Sequence, residues 1–421
     1  MNILWLTPFT AKSAIGVFSR EVCYELRGRG HQVRVMRTDS LPSADLLDHS
    51  GEIEVLMPDA SIPPDVDLIV INYGNHAPYH AAALRIAADV PAFAIFHDAE
   101  MRHFEAGVIN LHGVAIPRLA SDTIPSLHIE PCPDLVNAAS RPILEMLSAM
   151  SVGAIVHGPH YEPTISAACP GTVSVLPLCY PDSGTAPRRA QSSAKKSAKK
   201  MVTIFGIISP FKQPERLMRA VGQLREKGEV IDIHLAGPIE DHYQKDLVAL
   251  ANELGIEEPT FHGYLGDDEL IRVLDDSDVI CCLRHPITEG GSASLITALY
   301  RGRPLIVPDV ASYSMVPMDF ISKVSYGENC EDLADALCKV FDHPEDAMGR
   351  AKKAREWAVG TYSPKEYVDK LVPILDEAAS NLPVYQALRQ ITKSAVTPDG
   401  ETMDIALMSI ARIARDLFFA E

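Results

Sequence analysis

Short runs rich in valine and isoleucine alternate with helix-length segments along most of this 421-residue chain. In the first half these runs are ILWL, QVRVM, DLIVIN, PAFAIFHD, GAIVHG and TVSVLPL. After residue 200 the rhythm begins again with MVTIFGII, IDIHLAG, TFHGYL, DVICCL and PLIVPD. Apolar runs of this kind are typical of parallel strands joined by crossover helices, because such strands are buried on both faces. The two series predict an α/β protein with two doubly wound, Rossmann-like domains facing a cleft.

The composition of the chain changes between the two series. Residues 183–200, SGTAPRRAQSSAKKSAKK, hold six basic residues and no acidic one. The length suits two hydrophobic cores, so we predict an N-terminal domain over residues 1–182, a basic linker or loop over 183–200, a second domain over 201–365 and a helical tail over 366–421. The linker is interpreted as a solubilising spacer, or else as a basic strip that meets anionic lipid headgroups. The tail is expected to pack back on the N-terminal domain or to meet a partner.

Charge and composition restrict the partners and the location of the protein. A formal net charge of −18 argues against binding nucleic acid, because neutralising phosphates needs a clustered excess of Lys and Arg. The eight cysteines include no CxxC pair and are interpreted as reduced thiols in the core. The opening MNILWLTPFTAKSAIG becomes polar too soon for a secretory signal, and no apolar run reaches the ~18 residues needed to span a bilayer. We expect a cytoplasmic protein, with a peripheral contact at the inner membrane as the alternative that the basic linker suggests.

The signatures of several enzyme classes are missing from the sequence. There is no G-x-G-x-x-G fingerprint, no G-x-S-x-G elbow and no G-x-x-x-x-G-K-[ST] loop. Nicotinamide and flavin enzymes, serine hydrolases and P-loop kinases are therefore disfavoured. His97 and His157 lack the spacing of a metal site such as H-E-x-x-H. We expect neither a metal nor a cofactor.

The loop after DVICCL is the first candidate site. It places Glu289, Gly290 and Gly291 ahead of a helical pattern that Ser292 can cap. The N–H groups of that first turn and the positive end of the helix dipole would bind an anion, and the glycines would let a ligand approach the backbone. Glu289 would accept hydrogen bonds from sugar hydroxyls. The alternative is an ordinary capped helix with a solvated glutamate.

Other polar residues follow the remaining strands, at the carboxyl ends where doubly wound sheets bind ligands. Lys212 precedes a helix and can neutralise a phosphate as a point charge. Gly16 stands just before the first helical pattern, where a backbone can approach a ligand. His97 and Asp98 are the last two residues of PAFAIFHD, directly after its apolar part, and His157 follows GAIV; a histidine there can donate to a phosphate or a sugar hydroxyl. Each position also fits a simpler role, as an exposed lysine, a turn glycine or a structural histidine.

The order and spacing of five segments resemble the retaining GT-B glycosyltransferases that use nucleotide sugars, the group 1 enzymes of bacterial polysaccharide and lipopolysaccharide synthesis. The segments are FGIISPFK, HLAGP, FHGYLGDDEL, DSDVICCLRHPITEGGSASLITALYRGRPLIVPD and SYSMVP. The resemblance covers nearly the whole chain up to about residue 370 and is strongest from Ile204 to Pro317. It implies a nucleotide sugar as donor, a glycan or lipid-linked glycan as acceptor, and front-face attack without a metal.

The resemblance also implies roles for single residues. Lys212 would hold the diphosphate. His97 would contact the transferred sugar and its phosphate, and Glu289 would hold the sugar hydroxyls. Gly16 would close over the donor from the first domain, and Tyr264 with Leu265 would meet the base. The other residues expected to bind the donor are Gly206, Ser209, Arg284, Gly290, Gly291, Ser292 and Thr297. Asp98 and His157 would lie on the acceptor side.

Two departures from the family pattern keep other functions open. Thr297 stands where the family has a second glutamate that grips the ribose, and Ile207 stands where many members carry an arginine after Gly206. Arg284 is the predicted substitute for that arginine. The alternatives are a catalytically weak scaffold or binding subunit and a sugar-nucleotide epimerase. The sugar, the base, the acceptor linkage and the oligomeric state are not predicted.

Overall fold

Parallel strands and helices alternate through the computed structural model, which describes residues 1–39, 46–47, 50–112, 141–182, 184 and 199–395. The predicted linker over 183–200 lies almost entirely outside the described residues, as does the predicted tail beyond residue 395. The chain divides into two units, each with its own parallel sheet. The prediction of two doubly wound α/β sheets is confirmed.

The first unit comprises Met1–Leu178, Thr288–Gly291 and Pro364–Glu421. Its described strands are β1 (Asn2–Thr7), β2 (Gln32–Arg37), β3 (Glu54–Leu56), β4 (Leu68–Tyr73), β5 (Ala92–Phe96), β6 (Ser151–Val156) and β7 (Val173–Val175). They form a parallel sheet in the order β3-β2-β1-β4-β5-β6-β7. The described helices are α1 (Ala14–Gly28), α2 (Ala77–His80), α3 (Ala83–Asp89), α4 (Arg102–His112), α5 (Arg141–Ala149), α6 (Glu162–Ser166) and, at the far end of the chain, α14 (Pro364–Ala395).

The second unit comprises Cys179–Ile287 and Ser292–Ser363. Its described strands are β8 (Lys200–Phe205), β9 (Ile231–Ala236), β10 (Thr260–Phe261), β11 (Val279–Cys281), β12 (Leu305–Pro308) and β13 (Ser322–Val324). They form a parallel sheet in the order β10-β9-β8-β11-β12-β13. The described helices are α7 (Pro214–Glu226), α8 (Asp241–Leu254), α9 (Asp267–Asp276), α10 (Ala293–Arg301), α11 (Ala311–Ser314), α12 (Glu331–Asp342) and α13 (Pro344–Tyr362), with a 3₁₀ turn at Pro210–Lys212.

Burial explains the apolar runs of the sequence. Strands β4, β5 and β6 are buried at every position, as central strands of a parallel sheet are. Helix α1 turns Phe18, Val22 and Leu26 into the core, which confirms the helical face read from their spacing. Helix α14 contacts α1, β4 and β6, and its Leu371 is fully buried. Among the described residues, no helix combines the length and the apolar character needed to cross a membrane.

The strand order places the polar loops. In the first sheet the order reverses between β1 and β4, and in the second between β8 and β11. Ligands of doubly wound folds bind at such switch points, beyond the carboxyl ends of the strands. In the second unit this position belongs to the loops that follow β8 and β11, which carry Lys212 and Arg284.

Several element boundaries differ from the sequence prediction. Strand β8 ends at Phe205 rather than near Ile208, because Gly206 takes a φ of 89°, which takes the backbone out of the strand conformation. Helix α1 begins at Ala14 with Ser13 as its N-cap, so Gly16 lies inside the first turn and not ahead of it. Strand β10 is two residues long instead of six. The predicted helix starts after Ser292 and at Pro214 are confirmed.

Candidate functional site

A lysine lies beside the N-terminus of a helix in the second unit. The chain leaves β8 at Gly206 and forms the 3₁₀ turn, in which the Lys212 N–H donates to the Ser209 carbonyl at 2.9 Å. The Lys212 Nζ then lies 3.4 Å from the Ser294 Oγ, in the first turn of α10. A Cβ on Gly206 would lie 3.2 Å from the Lys212 Nζ, so the glycine leaves room for this lysine. The turn therefore directs an ammonium group toward the positive end of α10.

The start of α10 is fixed by its cap. The Ser292 Oγ accepts from the Leu295 N–H at 3.3 Å and lies 3.1 Å from the Tyr313 hydroxyl, which donates to it. One N–H of the first turn is satisfied in this way. The adjoining positive charge of Lys212 and the positive end of the helix dipole would both favour an anion.

The other predicted residues of the second unit differ in exposure. The Arg284 guanidinium lies 6.0 Å from the centroid of the Phe211 ring, and the His285 N–H donates to the Phe211 carbonyl at 2.9 Å. The loops after β8 and β11 are therefore joined. Tyr264 is 84% exposed, whereas Leu265 and Thr297 are half-buried.

Glu289 is brought next to His97 in the first unit by backbone pairing. The Gly290 N–H donates to the His97 carbonyl at 2.8 Å, and the Ala99 N–H donates to the Thr288 carbonyl at 2.9 Å. These bonds form an antiparallel bridge between Asp98 and Glu289. The short segment Thr288–Gly291 thus pairs with the residues that follow β5 and belongs to the first unit. The parts of the chain on either side of this segment belong to the second unit.

The two glycines of this segment are required by packing. A Cβ on Gly290 would lie 2.1 Å from the Tyr161 hydroxyl, and a Cβ on Gly291 would lie 2.7 Å from the Leu178 Cβ. Gly16 has a similar reason, because a Cβ there would lie 2.5 Å from the Pro8 carbonyl oxygen. The lack of a side chain at these positions is explained by close contacts within the unit, without a ligand.

His97 and His157 form a buried pair. The His97 Nδ1 lies 3.1 Å from the His157 Nε2, and the His97 Nε2 lies 2.9 Å from the Asn72 Oδ1. The second nitrogen of His157 contacts the Leu176 carbonyl at 3.0 Å. Burial lowers the pKa of His157 to about 4, and burial together with His157 lowers the pKa of His97 well below its usual value. His157 is 1% exposed, which fits its structural interpretation better than direct contact with an acceptor.

Tyr161 and Asn72 hold this pair and were not singled out from the sequence. The Tyr161 hydroxyl donates to the Phe96 carbonyl at 2.6 Å and accepts from the His157 N–H at 2.7 Å. Burial raises the pKa of Tyr161, so the hydroxyl remains a donor. Asn72 could have been singled out from the sequence, because it is a polar residue at the end of the apolar run DLIVIN. No sequence pattern marks Tyr161.

The predicted site residues separate into groups. Those brought together in the first unit are His97, Asp98, His157, Glu289, Gly290 and Gly291. Those of the second unit are Gly206, Ser209, Lys212, Arg284, Ser292, Thr297, Tyr264 and Leu265, of which the first three share one loop. The described part of the chain holds no group of three or more His, Cys, Asp or Glu side chains placed to bind a metal ion.

A family model matches the part of the chain that forms the sheet of the second unit. Residues 186–357 match the family model described as glycosyl transferases group 1. The match contains all of β8 to β13, and with them Lys212, Arg284 and the approach to α10. No curated protein matches the chain in sequence.

Solved structures resemble both units. Sucrose-phosphate synthase from Thermosynechococcus elongatus is 15% identical, with a TM-score of 0.65 over 90% of this chain and 98% of that one. Anabaena HepE in complex with UDP is 16% identical, with a TM-score of 0.63 over 90% and 100% of the two chains. WaaG, described as a glycosyltransferase involved in lipopolysaccharide biosynthesis, is 16% identical, with a TM-score of 0.54 over 87% and 98%. At such identities the likeness concerns the fold, which is the two-sheet α/β fold called GT-B.

Proposed function

We propose that this chain is a retaining, metal-independent glycosyltransferase that moves a sugar from a nucleotide-diphosphate sugar to a hydroxyl of a glycan or lipid-linked acceptor. The match of residues 186–357 to glycosyl transferases group 1 supports the class of reaction. Similar folds have been solved with UDP and with UDP-glucose, which supports a nucleotide sugar as donor. The likeness to WaaG, described as involved in lipopolysaccharide biosynthesis, supports a glycan or lipid-linked glycan as acceptor.

The observation that carries the proposal is the position of Lys212. Its ammonium lies 3.4 Å from the Ser294 Oγ, beside the positive end of α10. An ammonium group and the positive end of a helix dipole each favour an anion nearby. A diphosphate would satisfy both, and in the reaction it is the leaving group on which negative charge grows. Lys212 and the first turn of α10 would therefore stabilise the transition state electrostatically.

The sugar would be oriented by the first unit's residues. The backbone of Glu289 is held by the bridge to Asp98. Its carboxylate therefore starts from a fixed backbone position when it accepts hydrogen bonds from sugar hydroxyls. Retention is proposed to follow front-face attack, in which the acceptor oxygen bonds to the anomeric carbon while the bond to the diphosphate breaks. The acceptor proton would leave with the departing phosphate oxygen.

A nucleotide screen tests the proposal. Thermal unfolding would be followed with UDP, GDP, ADP and their common sugar conjugates, for the wild type, Lys212→Ala and Lys227→Ala. A ligand at 100 times its Kd adds ~2.7 kcal/mol to the free energy of unfolding of the form that binds it. We expect the nucleotides of one base to stabilise the wild type and to lose most of this effect in Lys212→Ala. Lys227→Ala changes an exposed lysine of the same unit and should be stabilised like the wild type. Equal stabilisation of all three proteins would place the nucleotide away from Lys212.

One observation favours a second function, that of a catalytically weak scaffold. Ile207 is 71% exposed beside Gly206, where a charged residue would serve a diphosphate better. Together with Thr297 it could mark a donor site that has lost affinity. Slow hydrolysis of a nucleotide sugar in the absence of acceptor would exclude the scaffold, whereas binding of a glycan without any nucleotide effect would support it.

A further inference from the structure

His160, in the first unit, has an imidazole whose two nitrogens are buried. It lies in the loop after β6, one residue before Tyr161, the N-cap of α6. The Nδ1 and the Nε2 are both shielded from solvent, and neither has a hydrogen-bond partner among the residues that the structure describes. Such a group costs stability, because it has lost its contact with water and gained no partner in exchange. Since nearly all buried polar groups in proteins are paired, the exception at His160 indicates a site for a polar ligand.

Gly158 makes room for this ring. A Cβ on Gly158 would lie 2.7 Å from the His160 Nδ1 and 3.0 Å from the Gly290 carbonyl oxygen. The imidazole thus occupies the place of the side chain that Gly158 lacks, beyond the carboxyl end of β6. The centroid of the imidazole lies 4.9 Å from the centroid of the Tyr161 ring. These neighbours position the ring through packing and leave its hydrogen-bonding groups to a ligand.

Glu289 is the charged residue that acts on this imidazole. It lies in the segment that pairs with the residues after β5, the neighbour of β6 in the sheet. The Glu289 backbone approaches the ring without reaching the distance and angle of a hydrogen bond. Burial lowers the pKa of His160 to about 4, and the backbone and carboxylate of Glu289 oppose this shift. At pH 7 the ring is therefore neutral and offers one N–H donor and one acceptor nitrogen.

The chemistry of the two side chains favours a sugar hydroxyl as the ligand. A hydroxyl both donates and accepts, which matches a neutral imidazole with one donor and one acceptor. The Glu289 carboxylate accepts from the same kind of group, and sugars carry such hydroxyls on adjacent carbons. An anion is a poorer match, because the ring has no positive charge and the carboxylate would repel it. His160 and Glu289 are therefore suited to different hydroxyls of one sugar.

We propose that His160 binds a hydroxyl of the transferred sugar, next to the hydroxyls that the Glu289 carboxylate accepts. The inference rests on the proposed function and deepens it, because it assigns a further residue of the first unit to the sugar and not to the nucleotide. The bound hydroxyl donates to the unprotonated ring nitrogen or accepts from the N–H. His160 is thus a specificity-determining residue, since a sugar without that hydroxyl leaves the buried nitrogens unpaired and binds less tightly.

A phenylalanine at position 160 separates binding from structure. His160→Phe keeps an aromatic ring beside Tyr161 and removes both buried polar atoms. Because apolar atoms in place of unsatisfied polar ones are neutral or stabilising, we expect this variant without ligand to unfold at the same temperature as the wild type or higher. A variant that unfolds at a lower temperature but binds sugar nucleotides as well as the wild type would make His160 a structural residue and overturn the inference.

Calorimetry measures the contribution of the sugar. UDP, GDP and ADP, and their conjugates with glucose, galactose and N-acetylglucosamine, would be titrated into the full chain at pH 7. We expect His160→Phe to bind the bare diphosphate like the wild type and the sugar nucleotide about 3- to 10-fold more weakly, as the loss of a neutral hydrogen bond predicts. His160→Gln keeps a donor and an acceptor and should recover part of this loss. The control, His31→Asn, changes a half-buried histidine directly before β2 and should alter neither affinity.

The inference and the proposed function fail in different ways. Sugar-nucleotide binding that is equal in the wild type and His160→Phe would overturn the role of His160 and leave the proposed function intact. An equal loss of affinity for the bare diphosphate and for the sugar nucleotide would also overturn that role, because the effect would not depend on the sugar. If the wild type binds none of the probes, the inference and the proposed function are both overturned.

Discussion

At the scale of the residue, buried histidines make the stability of the first unit depend on pH. His80 is 1% exposed, and its Nδ1 lies 3.0 Å from the Asn72 carbonyl oxygen. Burial lowers the pKa of His80 to about 4, whereas a histidine in the unfolded chain titrates near 6.5. The unfolded chain therefore binds the proton first as the pH falls, so stability is lost between about pH 6.5 and pH 4 and is recovered above that window.

Replacing His80 tests this dependence. Between pH 6.5 and 5.5 one such histidine costs about 1 kcal/mol of the free energy of unfolding. We expect His80→Asn to reduce the loss of stability over this interval by about that amount, as measured by urea unfolding at both pH values. His242→Asn, at an exposed site, should keep the dependence of the wild type. A dependence that is the same in all three proteins would show that the pKa of His80 does not differ between the folded and the unfolded chain.

Gly290 gives the second prediction at this scale. A methyl group there would meet the hydroxyl and ring of Tyr161, whose backbone partners fix both His97 and His157. We expect Gly290→Ala to destabilise the protein by ~1–3 kcal/mol, the usual cost of forcing a methyl group into a packed core. Gly28→Ala, in the same unit at a site with nothing within 4 Å, should be neutral or stabilising by ~0.4–1 kcal/mol. Thermal unfolding of the two variants side by side distinguishes overpacking from a general effect of alanine.

At the scale of the element, one substitution in the first turn of α10 is expected to stabilise the helix and to prevent it from binding an anion. An aspartate at position 294 would complement the helix dipole and pair with Lys212, which adds ~0.3–1 kcal/mol. The same carboxylate would repel a diphosphate. We therefore expect Ser294→Asp to unfold at the same temperature as the wild type or higher, and to lose the stabilisation that the nucleotide gives.

The neutral variant Ser294→Asn is the control for this charge. Its amide has nearly the shape of the carboxylate, so it should retain most of the nucleotide-induced shift in a thermal unfolding experiment. Full stabilisation of Ser294→Asp by the nucleotide would mean that the phosphates bind elsewhere than beside Lys212. Equal loss in both variants would mean that the size of the side chain, rather than its charge, is what matters.

The elements themselves show what the sequence can and cannot predict. Strands β4, β5 and β6 were predictable because central parallel strands are apolar throughout. Strands β3 and β13 were not, because EVL and SKV are three residues long and only partly buried. The end of β8 depends on the backbone of Gly206, and a sequence pattern does not show a positive φ.

The candidate site was predictable only in part for a related reason. Loops at the carboxyl ends of strands follow from the α/β pattern, which is why Lys212, His97 and Glu289 could be named. The partners of His97 depend on which strands are neighbours, since Asn72 on β4 faces the end of β5 through the register of that pair. Tyr161 and its contact with Gly290 arise from packing between distant segments, for which no periodicity exists.

At the scale of the whole molecule, the first unit is completed by the last part of the described chain. Helix α14 follows the second unit in sequence but packs on α1, β4 and β6, where Tyr367, Val368, Leu371 and Leu375 are almost fully buried. Arg29, the C-cap residue of α1, also pairs with Asp369 at 2.5 Å. Each unit has its own hydrophobic core. The stability of the first unit should therefore depend on residues that the sequence places after the second.

The chain offers a means of testing this, because it has two tryptophans, and each unit contains one. Trp5 lies in β1 of the first unit, and Trp357 lies in α13 of the second, 5.3 Å from the ring of Tyr362. In Trp357→Phe the fluorescence reports the first unit, and in Trp5→Phe it reports the second. Leu371→Ala in each background removes a fully buried side chain from α14 and is expected to cost ~2–5 kcal/mol.

We expect that cost to lower the urea midpoint reported by Trp5 and to leave the midpoint reported by Trp357 nearly unchanged. Lys370→Ala, on the exposed side of the same helix, should alter neither. A fall in both midpoints would mean that the two cores unfold in one cooperative step. A fall in the Trp357 midpoint alone would contradict the assignment of α14 to the first unit, because the helix would then stabilise the unit that precedes it in sequence.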